Sequence, residues 1–326
     1  MIKLFQTVHP AQLFKISRKT RFMLSQSLLL KIHRWISALF ALPLAIVIVT
    51  GLILSFQPIA QHVAITPGSL SEAQLLALLQ KHDPKGEARS LSRDPTQGLL
   101  SLSPVNGAAL KIDLATGEIS TKPESVSAKI FSTSRRLHER LLFGLEPLVP
   151  LSTAAMLVLM AFGMLMGWPK FLRNDMTHWH KGTAWTLLPL LIISPLSGLA
   201  LTYNITFVEP LARSPALPLN KAIEFTSAFT DPSNILFIAT RGGRQIVRTM
   251  EDGAVKTYTP ASGGLRSMAP NWPRLIHEGN WAGLWSGGLN ALTAAAMILL
   301  MGTGLTLWLR RSFRRRKPRG ALASAA

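Results

Sequence analysis

The chain contains no cysteine, only two tyrosines, and fewer than half as many acidic as basic residues, with 16 Asp and Glu against 35 Lys and Arg among 326 residues. The first absence excludes disulfides, iron–sulfur ligation, cysteine-type zinc sites and the CxxCH attachment of c-type haem, so any metal or cofactor must be held mainly by histidine or carboxylate. Charge of either sign is scarce, and a hydrophobic content of 48% with mean hydropathy +0.27 excludes an ordinary soluble domain. No Walker loop, Gly-x-Gly-x-x-Gly turn after a strand or flavin-binding segment is present, so an electron or phosphoryl donor has to come from outside the chain. The net charge of +19 is unaccompanied by a nucleic-acid recognition motif. No nucleic acid is therefore expected as a partner. The basic residues bunch instead at the ends of apolar stretches, where they report membrane topology.

Four such stretches are free of charge, at 36–56, 147–168, 183–204 and 286–309, each close to the ~20 residues that a helix needs to cross a bilayer. Lys and Arg concentrate in the N-terminal segment (Lys3, Lys15, Arg18, Lys19, Arg21, Lys31), in the connection 169–182 (Lys170, Arg173, Lys181) and in the tail from Arg310. By the positive-inside rule these three are cytoplasmic, and the two long polar segments face the periplasm of a bacterial inner membrane. The division expected is 1–32 basic and cytoplasmic, 33–56 span one, 57–137 periplasmic, 138–168 span two with a periplasmic extension, 169–182 a cytoplasmic loop, 183–204 span three, 205–280 periplasmic, 281–309 span four, and 310–326 a basic cytoplasmic tail. The first 32 residues are too long and too basic for a cleaved leader, so span one is expected to stay as an anchor. The spans hold no acidic or basic pair, which argues against ion-coupled transport.

The sequence repeats itself. His33 and Gly51 stand as far apart from His180 and Gly198 (180 − 33 = 198 − 51 = 147), and Leu137-His138-Glu139 with Gly144-Leu145 matches Ile276-His277-Glu278 with Gly283-Leu284. Two spans form the unit, so the halves share one orientation and are related by an axis along the membrane normal. One histidine from each half then meets at each membrane face, His33 with His180 on the cytoplasmic side and His138 with His277 on the periplasmic side. Any one of these alone reads as an interfacial side chain making ordinary hydrogen bonds; four at symmetric positions read as two pairs of axial ligands, each pair gripping one haem. His178 is an alternative to His180, which is preferred because it is in register with His33. Arg34 near one pair and Arg136 near the other are candidate haem-propionate contacts, as are Lys181, Arg135, Arg140 and Arg274. Gly51, Gly163, Gly198, Gly302 and Gly304 leave room for a porphyrin or for close helix packing. His9, His62 and His82 lack a repeat partner and read as solvated.

In the first outer segment, Ser71–His82 reads as an amphipathic helix opened by Ser69 or Ser71, followed by alternating strands at 88–93, 99–103 and 108–114. The second offers one hairpin, Ile235–Thr240 with Gln245–Thr249, and a return strand near Val255–Tyr258.

Ile32-His33-Arg34-Trp35 with Thr50-Gly51-Leu52, Leu137-His138-Glu139-Arg140-Leu141-Leu142-Phe143-Gly144, and Asp113-Leu114-Ala115-Thr116-Gly117-Glu118 resemble the PepSY-associated transmembrane family from about Leu30 to Arg316. The third span departs from the pattern, opening with His180-Lys181-Gly182 where span one has His-Arg-Trp. The resemblance implies a mainly α membrane protein, a four-helix transmembrane bundle of two parallel repeats carrying small α+β PepSY-like periplasmic segments. It also implies two non-covalent, bis-histidine b haems and an oxidoreductase activity, the reduction of ferric iron in a periplasmic siderophore chelate by an electron from a donor the sequence does not identify. Arg241, Arg244 and Arg248 are candidate contacts for the chelate. Two other functions fit the same residues: a haem conduit between quinol and another periplasmic redox partner, and a non-redox PepSY binding or protease-regulating protein anchored by its spans.

Overall fold

The computed structural model describes residues 25–104, 107–142, 144–169, 173–208, 217–241, 244–261 and 264–314. The basic residues before 25, Lys170 and the tail from 315 lie outside the described residues, as does the side chain of Arg241.

Each half opens with a helix that breaks and restarts. Helix α1 (Gln26–Leu39) gives way at Phe40 to α2 (Ala41–Ala64), and α6 (Met176–Thr186) gives way at Leu187 to α7 (Leu188–Thr202). The breaks are 147 residues apart, at equivalent points of the repeat (187 − 40 = 147). Pro43 and Pro189 fall in the first turns of α2 and α7, where a missing N–H costs nothing because the first amides of a helix have no intrahelical partner. The spans read at 36–56 and 183–204 are thus each interrupted near their start, and α6 and α7 meet at a bend of 66°. Helices α2, α5 (Leu148–Leu165) and α10 (Gly283–Arg314) are long and apolar enough to cross a membrane, and the bent pair α6–α7 makes a fourth if it counts as one span. Leu44 and Ile48 of α2, Leu191 of α7, and Ala296 and Met297 of α10 form the core among these helices, with Met156, Leu159 and Met160 of α5 packed against it. The remaining helices are α3 (Glu72–His82), α4 (Val126–Arg140), α8 (Leu219–Ser227) and α9 (Trp272–Glu278). The polar approach to span two is therefore a separate helix, α4, that ends before α5 begins.

The two outer segments are not two separate modules. Strands β1 (Ala88–Asp94), β2 (Leu99–Pro104) and β3 (Leu110–Asp113) join β4 (Ile235–Arg241), β5 (Arg244–Glu251), β6 (Ala254–Ala261) and β7 (Gly264–Ser267) in one antiparallel seven-stranded sheet, ordered β3-β2-β1-β4-β5-β6-β7. The junction is β1 against β4, in the register Ser90 to Ala239, Leu91 to Ile238 and Ser92 to Phe237. Leu91 and Ile238 are repeat equivalents (238 − 91 = 147), so a pseudo-twofold axis passes between them. The same offset carries the first residue of α3 onto that of α8 and the first of β1 onto that of β4 (219 − 72 = 235 − 88 = 147). Duplication therefore runs through the outer segments as well as the spans.

Both α3 and α8 cover one face of the sheet, burying Leu75, Leu79, Ala222 and Ile223 against Leu91, Leu100, Ile112, Ile238 and Val247. Of the two candidate caps for α3, Ser71 is the one used: its hydroxyl accepts from the Gln74 amide at 3.2 Å while Gln74 accepts from the Ser71 amide at 2.8 Å. Asp231 ties the halves together by accepting from the amides of Gly68 at 2.7 Å and Ser233 at 2.8 Å. Burial works against its charge, but those amides and nearby Arg93 outweigh it and hold the carboxyl below its usual range.

The sheet sits on the helices through a two-residue hairpin. Asp252 and Gly253 both have positive φ, as a type I′ turn requires. Gly253 accepts from the Gly283 amide at 2.8 Å and the Val255 amide donates to Asn280 at 2.9 Å, fastening β5–β6 to the α9–α10 junction. A Cβ on Gly253 would lie 2.5 Å from the Gly283 Cα, so the contact admits no side chain.

Candidate functional site

The histidines of the repeat come together in two pairs. His138 on α4 and His277 on α9 face each other with ring centroids 5.9 Å apart and planes tilted by 44°. Each ring is fixed from behind. Val47, a backbone acceptor, lies 2.9 Å from His138 Nδ1, and Thr50 Oγ1 lies 3.2 Å from it. The Thr50 hydrogen is already directed to the Ile46 carbonyl at 2.6 Å, so both neighbours accept and Nδ1 carries the proton. His277 repeats the arrangement one half later: Nδ1 donates to the Ser194 carbonyl at 3.2 Å and to Ser197 Oγ at 3.3 Å, while Ser197 directs its own hydrogen to Ser194 at 2.8 Å. Val47 and Ser194, and Thr50 and Ser197, are equivalent at the offset of 147 (194 − 47 = 197 − 50 = 147). In both rings the proton is held on Nδ1 and the Nε2 lone pair is left for a metal, the usual outer-shell arrangement of a ligating histidine. Two such nitrogens on opposite sides of one metal stand about 4 Å apart, and the spacing of these rings is compatible with that.

Glycine makes the close approach possible. A Cβ on Gly51 would lie 3.1 Å from His138 Cε1, and one on Gly198 would lie 2.9 Å from His277 Cε1. The first of these is tight and the second is a clash. If this pair holds the haem that the family resemblance implies, Gly198→Ala is expected to push His277 off its position and weaken haem retention at least tenfold, with a smaller loss for Gly51→Ala. Haem content of the two purified variants, measured after dilution, checks the order.

The second pair, His33 on α1 and His180 on α6, lines a cavity of about 800 Å³ among α1, α2, α5, α6, α7 and α10. Its wall is mostly apolar and rich in methionine, including Met156, Met160, Met164, Met297 and Met301, whose flexible thioethers fill irregular space well. Arg34, Lys181 and Arg311 lie at its edge, suited to the carboxylates of an amphiphilic ligand. Gly163 and Gly302 also line it, and a Cβ on either would meet no atom within 4 Å. His180 Nδ1 lies 2.9 Å from Thr303 Oγ1, whose hydrogen is directed to the Leu299 carbonyl at 2.7 Å, so this ring too presents Nε2. His178 differs in place: its Nδ1 lies 2.7 Å from the carboxylate of Asp175, the residue that caps α6, and it is not among the residues that line the cavity with His33, whereas His180 is.

The pairs are close along the fold. Leu44 and Ile48 of α2 line the cavity, while Val47, Thr50 and Gly51 of the same helix support His138. The His138–His277 pair thus sits near the middle of α2 rather than at its far end. Among the described residues no three of His, Asp and Glu cluster as a metal-binding group. A bare ion would lack ligands there, whereas a pair of histidines is enough for a metal whose macrocycle brings its own in-plane nitrogens.

Arg34 lines the His33–His180 cavity, but Arg136 is exposed on α4 and takes no part in holding the His138 ring. Arg135 pairs with Glu139 and donates to Gln57 at 2.8 Å, Arg274 lies 3.5 Å from Glu278, and Arg140 4.0 Å from Glu146. On the sheet, Arg248 lies over the Phe237 ring at 6.0 Å, and Arg244 pairs with Arg241 in the β4–β5 register. The residues that sequence reasoning missed are the supports Val47, Thr50, Ser194, Ser197 and Thr303. The signal that finds four of them is the offset of 147 that relates His33 to His180.

Residues 30–311 match the family model for the PepSY-associated TM region. The chain belongs to this family. No curated protein sequence matches it at a significant level. Membership in the PepSY-associated family covers both histidine pairs, every helix except the ends of α1 and α10, and the whole sheet.

Proposed function

We propose that this PepSY-associated protein is a membrane oxidoreductase that binds two b haems through His33 with His180 and His138 with His277, and passes electrons to ferric iron in a siderophore chelate. The observation that carries the reading is the tautomer held at three of the four histidines, with Nδ1–H tied to a helix carbonyl or hydroxyl and Nε2 left as the free lone pair, together with the pairing of His138 with His277 and of His33 with His180. Each haem, when bound, would supply one-electron chemistry between the two histidines that hold it. The chain itself binds, orients and insulates: methionines pack the macrocycle, Arg34, Lys181 and Arg311 hold its carboxylates, and the shared helix α2 keeps the two pairs near enough for an electron to pass between them.

In this reading α6–α7 acts as one bent span, so four spans place the basic termini and the 169–182 connection on the cytoplasmic side of an inner membrane and the sheet in the periplasm. His33 and His180 hold the entry haem and His138 and His277 the exit haem, while the electron enters from a donor outside the chain. Oxygen-donor chelators prefer ferric to ferrous iron, so one electron loosens the metal and leaves the chelator intact. The sheet, with Arg244 and Arg248, is the platform for the chelate.

The purified protein is expected to show the reduced absorption bands of b-type haem, and these are expected to be lost rapidly on mixing with a ferric hydroxamate chelate in the presence of a ferrous-iron trap. Absence of b-type haem would sink the reading; reoxidation by quinone but not by the ferric chelate would move the function to the quinol-linked conduit.

A further inference from the structure

The four histidines are not held alike. In three of them Nδ1 has an acceptor and the ring lies against a glycine: His138 on Gly51, His277 on Gly198, and His180 on Gly304, where a Cβ would lie 3.4 Å from His180 Cε1. His33 has neither support. Its Nδ1 is buried without a hydrogen-bond partner, and its one backbone neighbour, the Leu159 carbonyl, is matched at His180 by the Leu300 carbonyl, so no side-chain acceptor stands at His33 where Thr303 stands at His180.

The repeat explains why. Across the cavity, Met156 and Met297, Leu159 and Leu300, Met160 and Met301, and Gly163 and Gly304 are equivalents at one offset (297 − 156 = 304 − 163 = 141). Leu159 and Leu300 place their carbonyls toward His33 and His180 in the same way. The residue equivalent to Thr303, whose hydroxyl accepts from His180, is Phe162, which has no acceptor to offer (303 − 162 = 141). The glycine equivalent to Gly304 is Gly163, and no atom, the His33 ring included, comes within 4 Å of where its Cβ would be. One substitution removes the hydrogen bond, and the open space beside Gly163 leaves the ring unsupported on that side.

Resting on the haem reading above, we propose that His33 is an exchangeable axial ligand, and that the iron it shares with His180 takes up a small neutral π-acceptor molecule in the ferrous state. The His138–His277 iron, anchored on both sides, does not. In the exchange the His33 Nε2–iron bond opens and the incoming molecule's lone pair forms a new bond to iron. Each is a two-electron donor, so the oxidation state is unchanged and no proton moves. The open volume around Gly163 and Gly302 accommodates the displaced ring and the incoming ligand.

The probe is carbon monoxide added to the dithionite-reduced full-length protein, followed by absorption spectroscopy with haem content measured in parallel. About half of the haem is expected to form the adduct in the native protein, and all of the haem that remains in His138→Ala. Phe162→Thr restores an acceptor at the position equivalent to Thr303 and is expected to slow adduct formation roughly tenfold or more at unchanged haem content. Phe162→Ser offers the same acceptor at smaller volume should the threonine disturb folding. Haem-replete protein in which neither site, or both sites, bind carbon monoxide would overturn the inference and leave the haem reading standing, as would an unchanged rate in both Phe162 variants. Protein free of haem would overturn the reading, and the inference with it.

Discussion

His138→Ala is expected to halve the haem content of the purified protein, from two per chain to one, and His180→Ala to remove the other half. Each residue is a well-supported member of its pair, and nothing else within the described residues can replace it: no third His, Asp or Glu gathers at either site. His178, the one histidine near enough in sequence to substitute for His180, does not line the cavity that His33 and His180 share. The loss is expected to be site-specific because the two pairs are supported by different residues, Thr303 for His180 and Val47 with Thr50 for His138. Haem-to-protein stoichiometry after denaturation in alkaline pyridine checks both variants. Retention of two haems per chain by either one would defeat the assignment of that residue.

The second large effect is expected in the sheet, where Leu91→Ala and Ile238→Ala should each destabilise the outer domain by about 2–5 kcal/mol, the usual cost of truncating a fully buried aliphatic side chain. Leu91 is 1% and Ile238 0% exposed, and they face one another at the one strand junction between the halves among the described residues. Because they share one contact, the double variant should depart from the sum of the singles by at least ~0.5 kcal/mol. Hydrogen exchange of the β1 and β4 amides, measured with denaturant melts of the four proteins, reads both quantities. Strict additivity, with exchange in β1 unaffected by Ile238→Ala, would mean that the halves fold independently.

Much of this was legible in the residues. The offset of 147 between His33 and His180 locates both members of the first pair, and Leu137-His138-Glu139 against Ile276-His277-Glu278 locates the second. The Ser71–Gln74 capping pattern and the alternating strands of the first outer segment form as read. The joined sheet was harder to see, because the equivalents of Leu75 and Leu79 in the second half are Ala222 and Thr226, which weaken the apolar pattern of α8. Pairing of β1 with β4 is a contact between distant parts of the chain, and no local signal announces it. The breaks at Phe40 and Leu187 are hidden for a different reason: they fall among apolar and aromatic residues, and only Pro43 and Pro189 mark where a new helix begins. The histidine supports depend on which helix face meets which ring, information that enters only with packing.

The register at the junction of the two halves has a consequence for origin. A strand that meets its own counterpart with like residue facing like is the contact that two identical molecules make across a twofold axis, where one patch is its own complement. The same axis brings His138 to the equivalent His277, and Val47, Thr50 and Gly51 stand to one ring as Ser194, Ser197 and Gly198 stand to the other. Half of the chain, paired with a twin, would meet itself at this same junction; because the two halves are instead joined in one chain, Phe162 and Thr303 can differ, a liberty that identical subunits never have.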